Sequence, residues 1–266
     1  MSFTRMVQAL ILLTFIFGIG GVAKASDDAF VNIHSVAVIS AMGDDVGMYN
    51  FGTTIFTDVA YDIHTDWNVD AQIVSEVTNA LADRFTVKNI SVDPQAVSRI
   101  VKISRAPVFG PEYDEAVAEF IRSLPKSSGI DAYVIVLPGA IVRSYLNGRN
   151  EQGLHGTRDV GLFNSRLVFE ALYFIGVYDA VTGKRIELGN EAAVEECSSE
   201  MWETKEDSLT AEQKSRIRQE IFSLTSRSIP YSLARAHLIS DDAAKARAAQ
   251  FTLPGDPSCH KPGMVW

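Results

Sequence analysis

The sequence predicts an α/β fold of the α+β kind: a single mixed β-sheet with helices packed on it, ending in a C-terminal hairpin and a final helix. Three observations carry this. Two short apolar runs, His34 to Ala41 (HSVAVISA) and Tyr133 to Leu137 (YVIVL), read as buried strands. Between them apolar residues recur at helical spacing. A long apolar strand, Arg166 to Tyr178, then meets a turn and a returning strand, Lys184 to Val194.

The elements follow in order. Gly43-Asp44-Asp45 breaks the first strand, and Asn50 to Asp62 (NFGTTIFTDVAYD) suggests one or two exposed or edge strands. From Asn68, standing as N-cap, Ile73, Val77, Ala80 and Leu81 share one helix face, with an end expected near Arg84. Phe85 to Ile90 returns to strand character, and Asp93-Pro94 restarts a short helical segment. After Pro111, acids in the first turn and the stripe Val117, Phe120, Ile121, Leu124 mark a clearer helix, stopped by Pro125. Asn147 to Gly161 reads as a long loop. Thr210 to Gln213 (TAEQ) fits a capping box opening a helix with Ile217, Ile221 and Leu224 on one face, which Pro230 should kink or interrupt. From Asp241 periodicity fades. The expected organisation is a cleavable signal peptide over 1–25, one α/β domain over 26–240, and an irregular tail over 241–266.

The tripeptide Thr182-Gly183-Lys184 resembles phosphate-binding chemistry, but the spacing fails. A phosphate loop needs Gly five residues before its Gly-Lys, Ser or Thr after it, and a helix beyond. Here those positions hold Tyr178 and Arg185, and Ile186-Glu187-Leu188 starts no helix. A turn explains every residue: Asp179 bonds its own turn backbone, and Gly183 supplies a positive φ. The strand before it is apolar on both faces, so it belongs in the middle of a covered sheet.

Arg5, the uncharged run Ala9 to Val22 and Ala23-Lys24-Ala25 form a secretory signal with cleavage before Ser26. An uncleaved anchor is the alternative, although 14 residues fall short of the ~20 that span a bilayer. No Cys follows the run to accept a lipid, and no later stretch reads as a membrane helix. The expected location is the periplasm. Without Arg5 and Lys24, 22 of the 24 Lys+Arg remain against 33 Asp+Glu, a balance of −11 that disfavours nucleic acid and anionic lipid as partners. The two cysteines, Cys197 and Cys259, read as one disulfide in an oxidising compartment, with two separate thiols as the alternative. Neither lies in a CxxC, so redox catalysis and zinc are weak readings.

The order of features resembles the periplasmic α/β domain shared by the curli-secretion lipoprotein, the N-terminal domain of the Tol translocation protein, and lipoprotein activators of penicillin-binding proteins. The carriers are SVAVISA, the helix-to-strand run AQIVSEVTNALADRFTVKNI, Gly129-Ile-Asp-Ala-Tyr-Val-Ile-Val, and the Asp179-to-Lys184 turn before a last helix, together spanning about Ile33 to Leu238. The resemblance implies a surface-acting module with a cell-envelope protein as partner. The chain departs from the pattern in lacking the lipid-accepting Cys and in extra segments at 42–66 and 144–164, so neither a lipid anchor nor pore formation carries over.

Chemical constellations are few. Asp62, His64 and Asp66 alternate and would share one face of a strand, which suits a metal or an oriented general base; a solvated polar edge has the same pattern. No second ligand motif exists, so no metal or cofactor is expected. His155 with Arg158 and Asp159 lies in the predicted loop, where functional residues gather, although ordinary loop polarity looks the same. Arg143, Arg149 and Arg158, which cluster in sequence with Arg166, could receive an anionic ligand, and Tyr49, Phe51, Phe56 and Tyr61 could form an exposed aromatic surface for a partner, although core or cross-strand packing has the same pattern. The expectation is a non-catalytic interaction module in envelope assembly or maintenance. The alternatives are a periplasmic hydrolase using His64 or His155 with neighbouring acids, or a carrier of small anions.

Overall fold

The computed structural model describes residues 27–51, 59–104, 111–124, 129–142, 150–160, 165–197, 202–251 and 263–264. The chain divides into two compact units, 1–31 and 32–266. In the first, Asp27–Phe30 forms a 3-10 turn.

The outcome is the mixed α/β architecture that the sequence predicts. Strands β1 (Ser35–Ser40), β4 (Thr86–Lys88) and β5 (Ala132–Pro138) run parallel, with β1 in the middle. β5 pairs antiparallel with the second half of β9 (Ser165–Asp179), Ala132 opposite Asp179 and Pro138 opposite Tyr173. The first half of β9 carries a different neighbour on that same edge: β8 (Leu154–Val160), with Leu154 opposite Ala171. Onto β8 are added β2 (Asp45–Phe51), parallel, and β3 (Val59–His64), antiparallel to β2. The other edge of β9 is filled along its length by β10 (Arg185–Cys197), which also takes β11 (Gly263–Met264). The sheet therefore forks about β9. At the fork the Gly139 N–H donates to Leu172 O (2.8 Å), and the Gly153 and Leu172 N–H groups close the gap at 2.9 Å each. A small separate ribbon joins β6 (Ala140–Val142) to β7 (Asn150–Gln152).

Helices cover both faces of the β4-β1-β5-β9 region. On one face α2 (Pro94–Ser104) and α3 (Pro111–Ser123) bury Ile100, Val117, Phe120 and Ile121 against Ala37, Ile39, Ile135 and Tyr178. On the other lie α1 (Val69–Leu81) and α4 (Ala211–Arg235), where the Tyr173 hydroxyl of β9 donates to Ser228 Oγ of α4 at 2.6 Å. Residues 173 and 178 differ in parity, so they leave the strand on opposite sides. Apolar residues on both faces of β9 are what this central position requires.

Several expectations change. β2 already begins at Asp45, inside the expected break. The predicted loop at 147–161 contains β7 and β8, and its His-Gly-Thr-Arg-Asp composition gains strand structure from two flanking partners. Asn68 precedes α1 in the left-handed region (φ 56°) without capping it; the Val69 N–H instead donates to the Asp44 carboxylate at 2.8 Å. The capping box of Thr210 and Gln213 is present, but Pro230 does not interrupt α4, which continues to Arg235. Thr225 and Ser228 turn their hydroxyls back onto carbonyls of the preceding turn in this stretch. The tail expected to be irregular begins with α5 (Asp241–Ala248), whose Ser240 cap accepts from the Ala243 N–H at 3.2 Å. Alanines, not a large apolar stripe, are its buried residues, which removes the usual periodic signal.

Candidate functional site

In open α/β sheets ligands enter at the carboxyl ends of parallel strands, where successive connections leave a strand in opposite directions. β1 is that strand here: the chain reaches β4 on one side of it through α1, and β5 on the other through α2 and α3. The crevice is filled by the chain itself. Asp70, in the first turn of α1, accepts from Ser40 Oγ (2.5 Å) and from the N–H groups of Met42 (2.8 Å) and Gly43 (3.2 Å). Donors that could cradle a phosphate or carboxylate ligand are thus spent on an internal carboxylate.

His155 is wholly buried on β8, and its Nε2 lies 2.7 Å from the Oε2 of Glu170, directly across on β9. Nδ1 stands 3.4 Å from Gly153 O, and the Tyr49 ring meets the imidazole edge-on with centroids 5.8 Å apart. The pair ties the β3-β2-β8 extension to the central strand. Asp159 is not its partner: it lies four residues along β8, about 13 Å at strand rise. Glu170 was missed in the sequence, although an acid inside the apolar run LVFEALYF was the available signal.

His64 ends β3 on the surface. It pairs with neither Asp62 nor Asp66 but with Asp45, its register partner on β2, at 2.9 Å between Nδ1 and Oδ1. That hydrogen bond raises the His64 pKa above the ordinary histidine value. Asp62 is exposed two residues earlier on β3, and Asp66 lies beyond the strand. Among the described residues no group of three His, Cys, Asp or Glu could hold a metal.

Arg143 and Arg149 lie outside the described residues, and Arg158 is on β8. Phe56 also lies outside them. Tyr49 and Tyr61 cannot form one aromatic surface, because Tyr61 is opposite Met48 and so leaves the sheet on the other side from Tyr49. Tyr61 packs on Trp202, and its hydroxyl donates to Glu203 O at 3.1 Å; burial pushes its pKa up to about 12. Cys197 is buried at the end of β10, and Cys259 lies outside the described residues.

No family model matches the chain. No curated protein matches it either. Among solved structures it is similar to the hypothetical protein CT253 from Chlamydia trachomatis, at 13% identity and a TM-score of 0.27, over 73% of this chain and 98% of that one. Among the described residues no helix is long and apolar enough to cross a membrane.

Proposed function

We propose that this is an exported, periplasmic protein that acts as a non-catalytic interaction module in cell-envelope assembly or maintenance. The reading rests on export signals in residues 1–25 and on the resemblance to envelope α/β domains. The observation that carries it is the β3-β2-β8 extension. The two segments by which the sequence departs from that resemblance, 42–66 and 144–164, are far apart in the chain. They nevertheless supply β2, β3 and β8, which pair into one added piece of sheet. A piece built from two insertions and locked by His155 and Glu170 is where partner specificity would reside. The hydrolase reading draws less support, because His155 is sealed and His64 shares a surface pair with a single acid.

The test uses the full chain expressed in its native host, with a photo-reactive residue replacing Asp62 on β3 and, separately, Val181 on the distal hairpin turn, both exposed. One discrete cross-linked envelope species from position 62 and none from 181 is the expected result, on protein whose N-terminal sequence starts at Ser26. Cross-links of equal pattern from both positions, or protein retained outside the envelope fraction, would overturn it.

A further inference from the structure

A cavity of about 140 Å³ lies where α1, α4 and the end of α5 meet. Its size is comparable to that of an engineered cavity that accommodates benzene. Buried Ala80, Ile229 and Pro230 and half-buried Phe251 give it apolar walls. Asn79 and Gln250, both exposed, line it too, so it is reached from solvent. Arg247 completes the lining, and its side chain is 26% exposed. Its Nη2 donates to Asp83, outside the lining, at 2.9 Å. The other N–H groups of this guanidinium have no protein partner among the described residues.

The charges here select against ionic ligands of either sign. Glu76 and Asp83 outnumber Arg247, so an added anion would meet net repulsion. Burial already pushes the Glu76 pKa up, and a second negative charge beside it would push it further. A cation finds no carboxylate oxygen in the lining to receive it. Glu76 Oε1 accepts from Gln72 Nε2 at 2.8 Å and from Ser226 Oγ, and Oε2 is sealed from solvent. What stays open is a hydrocarbon surface beside a guanidinium that can only donate. We propose that the cavity binds a small uncharged molecule of about benzene's size that carries one oxygen acceptor, an alcohol or a carbonyl, with its hydrocarbon body against Ile229, Pro230 and Phe251 and its oxygen accepting from Arg247. The inference stands independently of the interaction-module reading.

The experiment titrates the folded full chain with benzyl alcohol and, in parallel, with toluene, sodium benzoate and benzylammonium chloride. It follows the methyl ¹H–¹³C signals of Ala80 and Ile229, with Ile100 on the opposite face of the sheet as control. Saturable shifts of Ala80 and Ile229 with benzyl alcohol are expected, with Ile100 unmoved. Benzoate and benzylammonium should bind about tenfold more weakly, because each would bring an unpaired charge to the cavity. Toluene, which lacks the oxygen, should also bind more weakly. Arg247→Met keeps the length of the side chain and removes its donors; it should weaken benzyl alcohol by about tenfold and leave toluene unchanged. If Arg247→Met does not fold, the four-ligand series on the wild-type chain still decides. No saturable shift of Ala80 and Ile229 with benzyl alcohol would overturn the proposal. So would equal or tighter binding of toluene, benzoate or benzylammonium, or unchanged affinity for benzyl alcohol in a folded Arg247→Met.

Discussion

Gly183 shows how one residue can be fixed twice. Its φ is +70°, a region that costs an ordinary residue about 1–2 kcal/mol. A Cβ added there would also lie 2.8 Å from the Cα of Ala118 on α3. Around it, Asp179 Oδ1 accepts from the N–H groups of Val181 and Thr182 and from the Thr182 hydroxyl, as the turn reading requires. Gly183→Val should therefore lower unfolding free energy by roughly 2 kcal/mol or more, whereas Lys184→Ala removes an exposed charge and should leave it nearly unchanged. Chemical denaturation of both variants checks this, and titration with ATP should give no saturable heat. The turn was legible because its bonds are local. The partner of His155 was not, because Glu170 becomes its neighbour only when β8 and β9 align.

At the level of elements, the contact between β10 and α4 is set by Gly189. An added Cβ would fall 2.1 Å from the carbonyl oxygen of Ser232 and 2.9 Å from the Ala236 nitrogen, both backbone atoms of the α4 end. Gly189→Ala should thus push the helix from the hairpin and cost on the order of 2–3 kcal/mol, more than a surface substitution can. A fall in the denaturation midpoint with unchanged slope is the expected signature. The sequence shows a glycine in a strand and no more; the nearness of a helix more than forty residues later is a tertiary fact. The same reasoning covers Asn68 and Asp44. A cap candidate was visible beside α1, but the donor of Val69 is met by a residue from the loop after β1.

On the scale of the whole molecule, the C-terminal segment returns to the sheet. β11 pairs with β10, Gly263 beside Val194 and Met264 beside Ala193. The disulfide between Cys197, at the end of β10, and Cys259, which lies outside the described residues, is proposed from the sequence. Periplasm-derived protein alkylated without reductant should gain no label, and two after reduction. Closing about 60 residues should stabilise the fold by roughly 4 kcal/mol in the chain-entropy account, measurable as a lower denaturation midpoint of the reduced protein. Labelling of both thiols in the native protein would refute the pairing.

What the sequence determined by itself was the class of fold and most of its parts: the buried strands, the helix stripes of α1 and α3, the capping box of α4 and the Asp179–Gly183 turn. Each depends on periodicity or on contacts within a few residues, which the order of amino acids displays directly. Only the tertiary structure decided how the parts meet. It gave β9 two different neighbours on one edge, filled the end of β1 with Asp70, paired His64 with Asp45, and made strands of a polar stretch read as a loop. These outcomes turn on burial and on partners distant in the chain. A polar strand such as β8 is held by hydrogen bonds to β2 and β9, and no property of its own residues announces that both will be there.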